Sequence, residues 1–394
     1  MPGRLRDAIN ATTAEMLRGR GSVKWTAPGP DGFGAAIAEM DFGAAPAIID
    51  ALTKLSADAT FGYLPVHLAD DLATACAEFE KRRFGWDVDP ASIHPVPDVI
   101  KALEIAITHF SRPGSPVILP TPAYMPFLIV PGLLGRDIIQ VQVQEEPDHA
   151  GFFTLDLDAI DTAFRAGGHL VVFCNPYNPL GRVFTLEEMT QLTEVVERHG
   201  GLVFADEVHA PLVYPGQRHI PYASTSEAAA SHTLTSTSAS KAWNLPGLKC
   251  AEVILTNKPD RQHWEEMGPF ASHGASNPGV VANIAAFRHA EDWLDEVLAY
   301  LDQSRHLLAD LLSRHLPEVR YRPPDGTYLA WIDCTAMDLP GSPGVLVTDR
   351  AQVTVVDGPA FGAGGDGSFR FNFATPQPIL IEMIDRIATV LNAG

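Results

Sequence analysis

The sequence predicts an α/β protein: a mostly parallel sheet covered by helices, joined to a smaller α+β unit. Two observations carry this. Strand candidates at 117–119, 138–143, 170–174, 202–205, 233–237 and 252–255, several of them apolar throughout, alternate with segments of helical spacing, notably 186–199. Strands that are apolar throughout must be covered on both faces, as in a parallel sheet with crossover helices. After about residue 287 the pattern changes to a long helix, three strands and a last helix.

Taken in order, residues 1–46 read as an arm, with a short helix over about 4–19 and then a loop carrying Pro28, Pro30, Gly32 and Gly34. Residues 47–286 form the large domain. Pro46 opens a helix over 47–55, since proline suits a first helical turn. Phe61-Gly62-Tyr63-Leu64-Pro65 reads as a turn, and 67–84 has apolar residues at helical spacing. Asp98 precedes a helix running to about Phe110, and the strand–helix alternation comes after it. Residues 287–394 form the small domain: a helix over 293–316, strands at 328–333, 353–355 and 369–373, and a helix near 379–391. The glycine-dense stretch from Gly358 to Gly367 reads as a flexible loop.

Composition narrows the function classes. The 394 residues suffice for two to three domains at ~150 residues each. Acids exceed bases by 48 to 28, a net charge of −20, which disfavours nucleic acid or an anionic membrane as a partner. The longest apolar run, Pro126 to Gly135, is broken by Pro131 and Gly132 and is too short to span a bilayer. No apolar block comes after Arg4 and Arg6, so no signal peptide is expected. Cys76, Cys174, Cys250 and Cys334 are far apart in sequence, which fits a reducing cytoplasm better than a disulfide framework or a zinc cluster.

In an open α/β sheet, ligands sit beyond the carboxyl ends of the strands. The residues just past each predicted strand are therefore informative. After 170–174 comes Asn175-Pro176-Tyr177-Asn178-Pro179-Leu180-Gly181; after 202–205 comes Asp206-Glu207-Val208-His209; after 233–237 comes Ser238-Ala239-Ser240-Lys241. Asp98 precedes a helix start at Val99. Lys241 has Ser238, Ser240, Trp243 and Leu245 as near neighbours rather than other charges. An amine near apolar groups has its charged form disfavoured, one route to a lysine able to form an imine. The plain alternative is a surface lysine in a Ser/Thr loop, and Asp206 with Glu207 could instead be a metal pair or a solvated turn.

One ligand would use all these groups. Pyridoxal phosphate needs a lysine for its aldehyde, an anion for its ring nitrogen, and an amide for its ring oxygen. Its phosphate needs backbone N–H groups at a helix start and hydroxyl donors. No dinucleotide glycine pattern and no phosphate loop ending in Gly-Lys-Ser or Gly-Lys-Thr competes.

With these residues in place, the chain resembles the fold-type I pyridoxal phosphate enzymes of the class I/II aminotransferase group, and within it the MalY/PatB branch of cystathionine β-lyases. The likeness runs from Ser22-Val23-Lys24-Trp25 to Phe373-Ala374-Thr375-Pro376. Its specific pieces are Glu39-Met40-Asp41-Phe42, residues 175–181, Asp206-Glu207-Val208-His209, Lys241-Ala242-Trp243-Asn244, residues 325–331 and Arg370-Phe371-Asn372-Phe373-Ala374.

The resemblance implies a role for each residue. Lys241 would hold the cofactor and move the Cα proton; Asp206 would pair with the ring nitrogen; Asn178 would bind the ring oxygen and Tyr124 would stack on the ring. Asn178 and Tyr124 would also border the substrate, and His209 would join the cofactor-binding set. Val99 and Ile100, with Ser238 and Ser240, would hold the phosphate. Tyr63 would reach the phosphate of a neighbouring subunit, which implies a homodimer with shared sites. Arg370 would grip the carboxylate of an amino-acid substrate with its guanidinium fork. Lys249 stands where many relatives use arginine, and Asp98 would repel a phosphate unless it turns away or caps the helix. The implied activity is carbon–sulfur β-cleavage of cystathionine or related cysteine conjugates. Aminotransfer is the runner-up, and a regulatory, protein-binding role for the fold is a third reading.

Overall fold

A computed structural model describes residues 4–393; residues 1–3 and 394, the outer ends of the predicted arm and small domain, lie outside the described residues. The main sheet has seven strands: β1 (Ile93–Val96), β2 (Val117–Thr121), β3 (Ile138–Gln142), β4 (Leu170–Cys174), β5 (Leu202–Asp206), β6 (Thr233–Thr237) and β7 (Ala251–Leu255). Their order across the sheet is β1-β7-β6-β5-β4-β2-β3. Every pairing is parallel except those of β7, which runs against both β1 and β6. All positions of β2, β4, β6 and β7 are buried, which is why these strands, Glu252 of β7 apart, are apolar or hydroxyl-bearing without alternation.

Because β4, β5 and β6 are parallel neighbours, their carboxyl ends lie side by side, and the loops after them open on one edge of the sheet. The helices flanking the sheet carry ordinary end signals. Leu186–Arg198 starts with a reciprocal capping box between Thr185 and Glu188. Val66–Phe84 stops at Gly85, whose φ of 78° suits glycine.

Several elements differ from the sequence reading, each for a local reason. Strand β1 was not expected, because Pro95 lies inside it; its place at the sheet edge, paired only to β7, tolerates a residue with no N–H. The helix predicted to Phe110 is α-helical over Val99–Ile105 and then widens into a π-helical turn over Ala106–Phe110. The early arm forms two helices, Arg4–Asn10 and Ala14–Arg20, separated where Thr13 caps the second. The apolar run near residue 126 is a helix, Met125–Leu133, with Pro131 in its last turn.

The smaller sheet comprises β8 (Leu329–Asp333), β9 (Val356–Asp357) and β10 (Ser368–Asn372), antiparallel in the order β8-β10-β9. The single strand expected at 353–355 is split. Val353–Thr354 instead pairs in parallel with Phe33–Gly34 of the arm, so the arm is stitched to this unit before it runs toward the large sheet. No described helix is long and apolar enough to cross a membrane. The four cysteines are free and buried, packing as small hydrophobes.

Candidate active site

The loop after β4 is fixed at both ends. Asn175 donates its backbone N–H to Asp206 O at 3.0 Å, and its side-chain oxygen accepts from Phe184 N at 3.1 Å. Gly181 closes the loop with φ +69°, and a Cβ there would lie 2.2 Å from Pro324 Cβ, so no other residue fits. Asn178 is thereby held on the sheet edge, buried, with its side-chain oxygen accepting from Arg370 Nη1 at 3.0 Å.

The loop after β6 is equally constrained. Ser238 donates its hydroxyl to Cys250 O at 2.7 Å and accepts the Ser240 N–H at 3.0 Å. Ala239 N donates to Asn283 Oδ1 at 2.9 Å. Trp243 anchors the end of this loop: fully buried, it donates its indole N–H to Ala290 O at 2.9 Å and packs edge-on against Phe79 and Phe287. Truncating so large a buried ring costs about 3–5 kcal/mol, so Lys241, two residues before it, stands on a rigid support.

Lys241, Asp206, Asn178, Tyr124, His209, Ser240, Val99 and Ile100 wall one cavity, together with Ala38 and Val208. Asp206 ends β5 and its carboxylate accepts the Val208 N–H at 3.1 Å. Burial nonetheless pushes Asp206 up to about 6, with the Val208 N–H and the Lys241 charge pulling back the other way. Burial lowers Lys241 to about 8, helped by the Arg370 charge and opposed by Asp206 and Glu39. Arg370 itself is brought down to about 10 by burial. Lys241 Nζ donates to Ala38 O at 3.0 Å. A lysine held near neutrality beside a carboxylate is the combination imine chemistry requires.

The remaining candidates are placed differently. Arg370 is buried and reaches the site through Asn178, with its second guanidinium nitrogen on Ala36 O at 2.8 Å. Ser238 is buried below the cavity with its hydroxyl committed to the backbone, so of the two serines only Ser240 lines the cavity. Lys249 pairs with Asp98 at 2.7 Å, and Asp98 caps the helix by accepting the Lys101 N–H at 2.8 Å. That answers the repulsion raised by the sequence: one carboxylate oxygen is spent on the cap and the other on Lys249. Tyr63 is 101% exposed and lies on a separate groove with Phe61 and Leu64. Glu207 turns away from Asp206. It accepts Tyr222 N at 2.8 Å and meets His219 Nε2 at 3.0 Å, so the two carboxylates do not share a ligand position.

The donor set fits pyridoxal phosphate. Among the described residues, His209 is buried in the cavity walls with no hydrogen-bond partner on either ring nitrogen, and burial lowers it well below the ordinary histidine range. Among the same residues, the Asp206 Oδ2 atom meets only the Cys174 thiol, at 3.8 Å. Buried polar atoms are costly without partners, and an aromatic ring carrying polar groups on its rim would supply them. Two further contributors escaped sequence reasoning. Ala38 acts through its carbonyl, and Tyr328 donates its hydroxyl to that carbonyl at 2.9 Å while its ring meets His209 edge-on. The motif containing Tyr328 was a signal; a backbone oxygen gives none.

Residues 31–387 match the family model for aminotransferase class I and II. The chain is 37% identical over 377 residues to the cystathionine beta-lyase of Corynebacterium glutamicum, covering 96% of this chain and 98% of that one. It is 30% identical to the cystathionine beta-lyase PatB of Bacillus subtilis, over 98% of this chain and 100% of that one. The crystal structure of cystalysin from Treponema denticola, which contains pyridoxal 5'-phosphate, superposes with a TM-score of 0.90 at 26% identity, covering 97% and 98% of the two chains. By these matches and by the geometry of its sheet edge, the chain belongs to the class I and II aminotransferase family, in its cystathionine β-lyase branch.

Proposed function

We propose that this protein is a pyridoxal-phosphate-dependent carbon–sulfur β-lyase. It cleaves L-cystathionine or related cysteine S-conjugates to pyruvate, ammonia and a thiol. The observation that carries the reading is the shared cavity of Lys241 and Asp206, contributed by the ends of adjacent parallel strands.

When bound, the cofactor supplies an electron sink for the pair left at the substrate Cα. The residues of this chain do the rest. Asp206 would be the anion for the ring nitrogen, Asn178 and His209 would serve the ring's polar rim, and Tyr124 would cover one face. Val99 N, Ile100 N and Ser240 would hold the phosphate, with Ser238 orienting Ser240 through the Ser240 N–H and Lys249 balancing Asp98. Arg370 binds the substrate carboxylate, which fixes the Cα–H bond toward Lys241. Lys241 Nζ then takes the Cα proton, and the thiolate departs from Cβ. Hydrolysis of the remaining three-carbon enamine gives pyruvate and ammonia, so one water is consumed per thiol released.

We read the molecule as a cytoplasmic homodimer in which Tyr63 serves the neighbouring site, and its domains as 1–46, 47–286 and 287–394. Exposure of Tyr63, Phe61 and Phe270 supports a partner surface there. The test of function is incubation of the holoenzyme with cystathionine. Pyruvate and free thiol in equal amounts are expected. Keto-acid exchange without thiol release would overturn the lyase reading in favour of aminotransfer.

A further inference from the structure

The segment from Ala36 to Asp41, of which Ala38 lines the cavity, has no strand partner among the described residues, yet each of its six carbonyls accepts a side-chain donor. Ala36 O takes Arg370 Nη2 at 2.8 Å, and Ile37 O takes Asn372 Nδ2 at 2.6 Å. Ala38 O takes Lys241 Nζ at 3.0 Å and Tyr328 OH at 2.9 Å. Glu39 O takes Asn372 Nδ2 at 2.8 Å and Lys24 Nζ at 3.2 Å. Met40 O takes Asn244 Nδ2 at 2.8 Å, and Asp41 O takes Arg20 Nη1 at 3.0 Å. Two of these donors, Arg370 and Lys241, are the groups read above as carboxylate binder and proton carrier. This strap therefore touches both ends of the reacting amino acid's site.

Lys24 is the lock at the far end of the strap. It is 1% exposed, and its ammonium uses all three donors: on Glu39 O, on Asp41 Oδ2 at 2.9 Å and on Ala374 O at 3.2 Å. The other Asp41 oxygen accepts the Trp25 indole N–H at 2.7 Å. One charge thus joins the strap to the segment just past β10, the strand that carries Arg370, and reinforces the direct Asp41 N–H bond to Ala374 O at 3.0 Å. The helix holding Lys24, Val23–Thr26, is pressed against the strap's entry: a Cβ on Gly34 would lie 1.8 Å from Lys24 O. A buried ion pair is poor evidence of stabilisation by itself, since apolar replacements serve as well; its retained use is to fix one geometry.

We propose that Lys24 is a positioning residue for the substrate-carboxylate end of the site, acting through the 36–41 strap on Arg370. The inference rests on the proposed function for the identity of the substrate, but the lock itself does not. With Lys24 in place, Ala36 O holds one edge of the Arg370 fork while Asn178 holds the other, so the guanidinium meets a carboxylate in a single orientation. Without it, the Glu39 and Ala374 carbonyls lose their common charged donor; Asn372 on Glu39 O, Asn244 on Met40 and the Asp41 N–H on Ala374 O remain, so the strap loosens at its far end rather than detaching, and Arg370 loses a fixed partner.

The test is the double variant Lys24→Met with Asp41→Asn, which removes both buried charges while keeping size and an acceptor for Trp25. Two measurements decide it. In the cofactor-free protein, backbone amide exchange at residues 39–41 should quicken about tenfold or more while β4–β6 keep their protection. In the holoenzyme, KM for cystathionine should rise about tenfold with kcat within about twofold of wild type, the signature of lost ground-state binding. Wild-type exchange, or fast exchange with an unchanged KM, would overturn the proposal and leave Lys24 as a packing element. Lys24→Met alone strands the Asp41 charge and is expected to lower Tm, which the double variant should restore. If the wild-type holoenzyme releases no thiol, the lyase reading fails on its own while the exchange experiment still decides whether Lys24 holds the strap.

Discussion

Arg370 donates to the side-chain oxygen of Asn178 at 3.0 Å, joining two residues 192 positions apart. The contact ties β10 of the smaller sheet to the loop after β4 of the larger one, at Asn178 in the cavity wall. Arg370 is fully buried, and its Nε has no partner among the described residues. Desolvating a guanidinium is costly unless something is gained, and the bonds to Asn178 and Ala36 hold this one in a fixed orientation, as the proposed carboxylate binder would require.

Arg370→Ala is accordingly expected to act on substrate binding. A charge-assisted hydrogen bond contributes ~1.5–3 kcal/mol, so KM should rise roughly ten- to a hundredfold. Arg370→Lys keeps a charge but cannot bridge Asn178 and Ala36, and should recover only part of the loss. Steady-state kinetics on both variants check this; an unchanged KM in Arg370→Ala would remove the residue from the site.

Lys241 predicts a pH dependence that can be read without turnover. Its amine attacks the cofactor aldehyde only when neutral, and burial has lowered it from 10.5 to about 8. Below that pH, each unit leaves about a tenth as much free amine. Cofactor uptake by the apo protein should therefore accelerate about tenfold per pH unit up to about 8 and then level off. Stopped-flow absorbance measures the rate. Lys241→Ala should take up no borohydride-reducible cofactor at any pH, and a plateau near 10 would show that the amine is not perturbed.

How much of this could be read beforehand differs by residue. Strand β4 was legible because burial on both faces leaves a continuous apolar run, and β6 because its run of threonines is β-branched. Lys241, Asp206 and Asn178 were legible because each comes just after such a run, and parallel neighbours put strand ends together. Strand β1 was hidden by Pro95, whose cost depends on whether the strand is at an edge, a tertiary fact. The carbonyls of Ala36 and Ala38 were hidden because backbone oxygens have no residue signature. The Asp98 helix cap was legible as one way out of its repulsion with a phosphate; its pairing with Lys249, 151 positions away, needed coordinates.

Asp206→Asn should stabilise the apo protein while disabling it. The carboxyl sits at about 6 when folded against an ordinary 3.8, because burial penalises its charge. Below pH about 4 the group is protonated folded or unfolded, and nothing is lost; as pH rises through about 6 the folded state carries a disfavoured charge and stability falls. The full loss is about 3 kcal/mol, already net of the attraction to Lys241 and of the Val208 N–H bond. Urea denaturation should find the apo variant more stable by ~1–3 kcal/mol at pH 8, with the gap closing near pH 4. Equal stability at both pH values would mean that the carboxylate is comfortably solvated.

Tyr63 supplies the sharpest test of assembly. In one chain it is fully exposed, next to Phe61 at 64% and on the same groove as residues 272–278, while Val66 nearby is 78% exposed. So much exposed apolar surface calls for a partner, and a symmetric dimer places the same patch of each copy against the other. If Tyr63 of one copy serves the site of the other, two inactive chains can repair each other. Coexpressing Lys241→Ala with Tyr63→Ala chains creates mixed dimers. In these, the site built on the intact Lys241 receives an intact Tyr63 from the Lys241→Ala chain, and the second site carries both defects. Purified mixed dimers, separated by distinct affinity tags, should then release thiol at about half the wild-type rate per dimer, the arithmetic of one whole site in two. Sites built within one chain give a different result: the mixed dimer would show only half the residual rate of the Tyr63→Ala homodimer, and Tyr63 would be assigned to its own subunit.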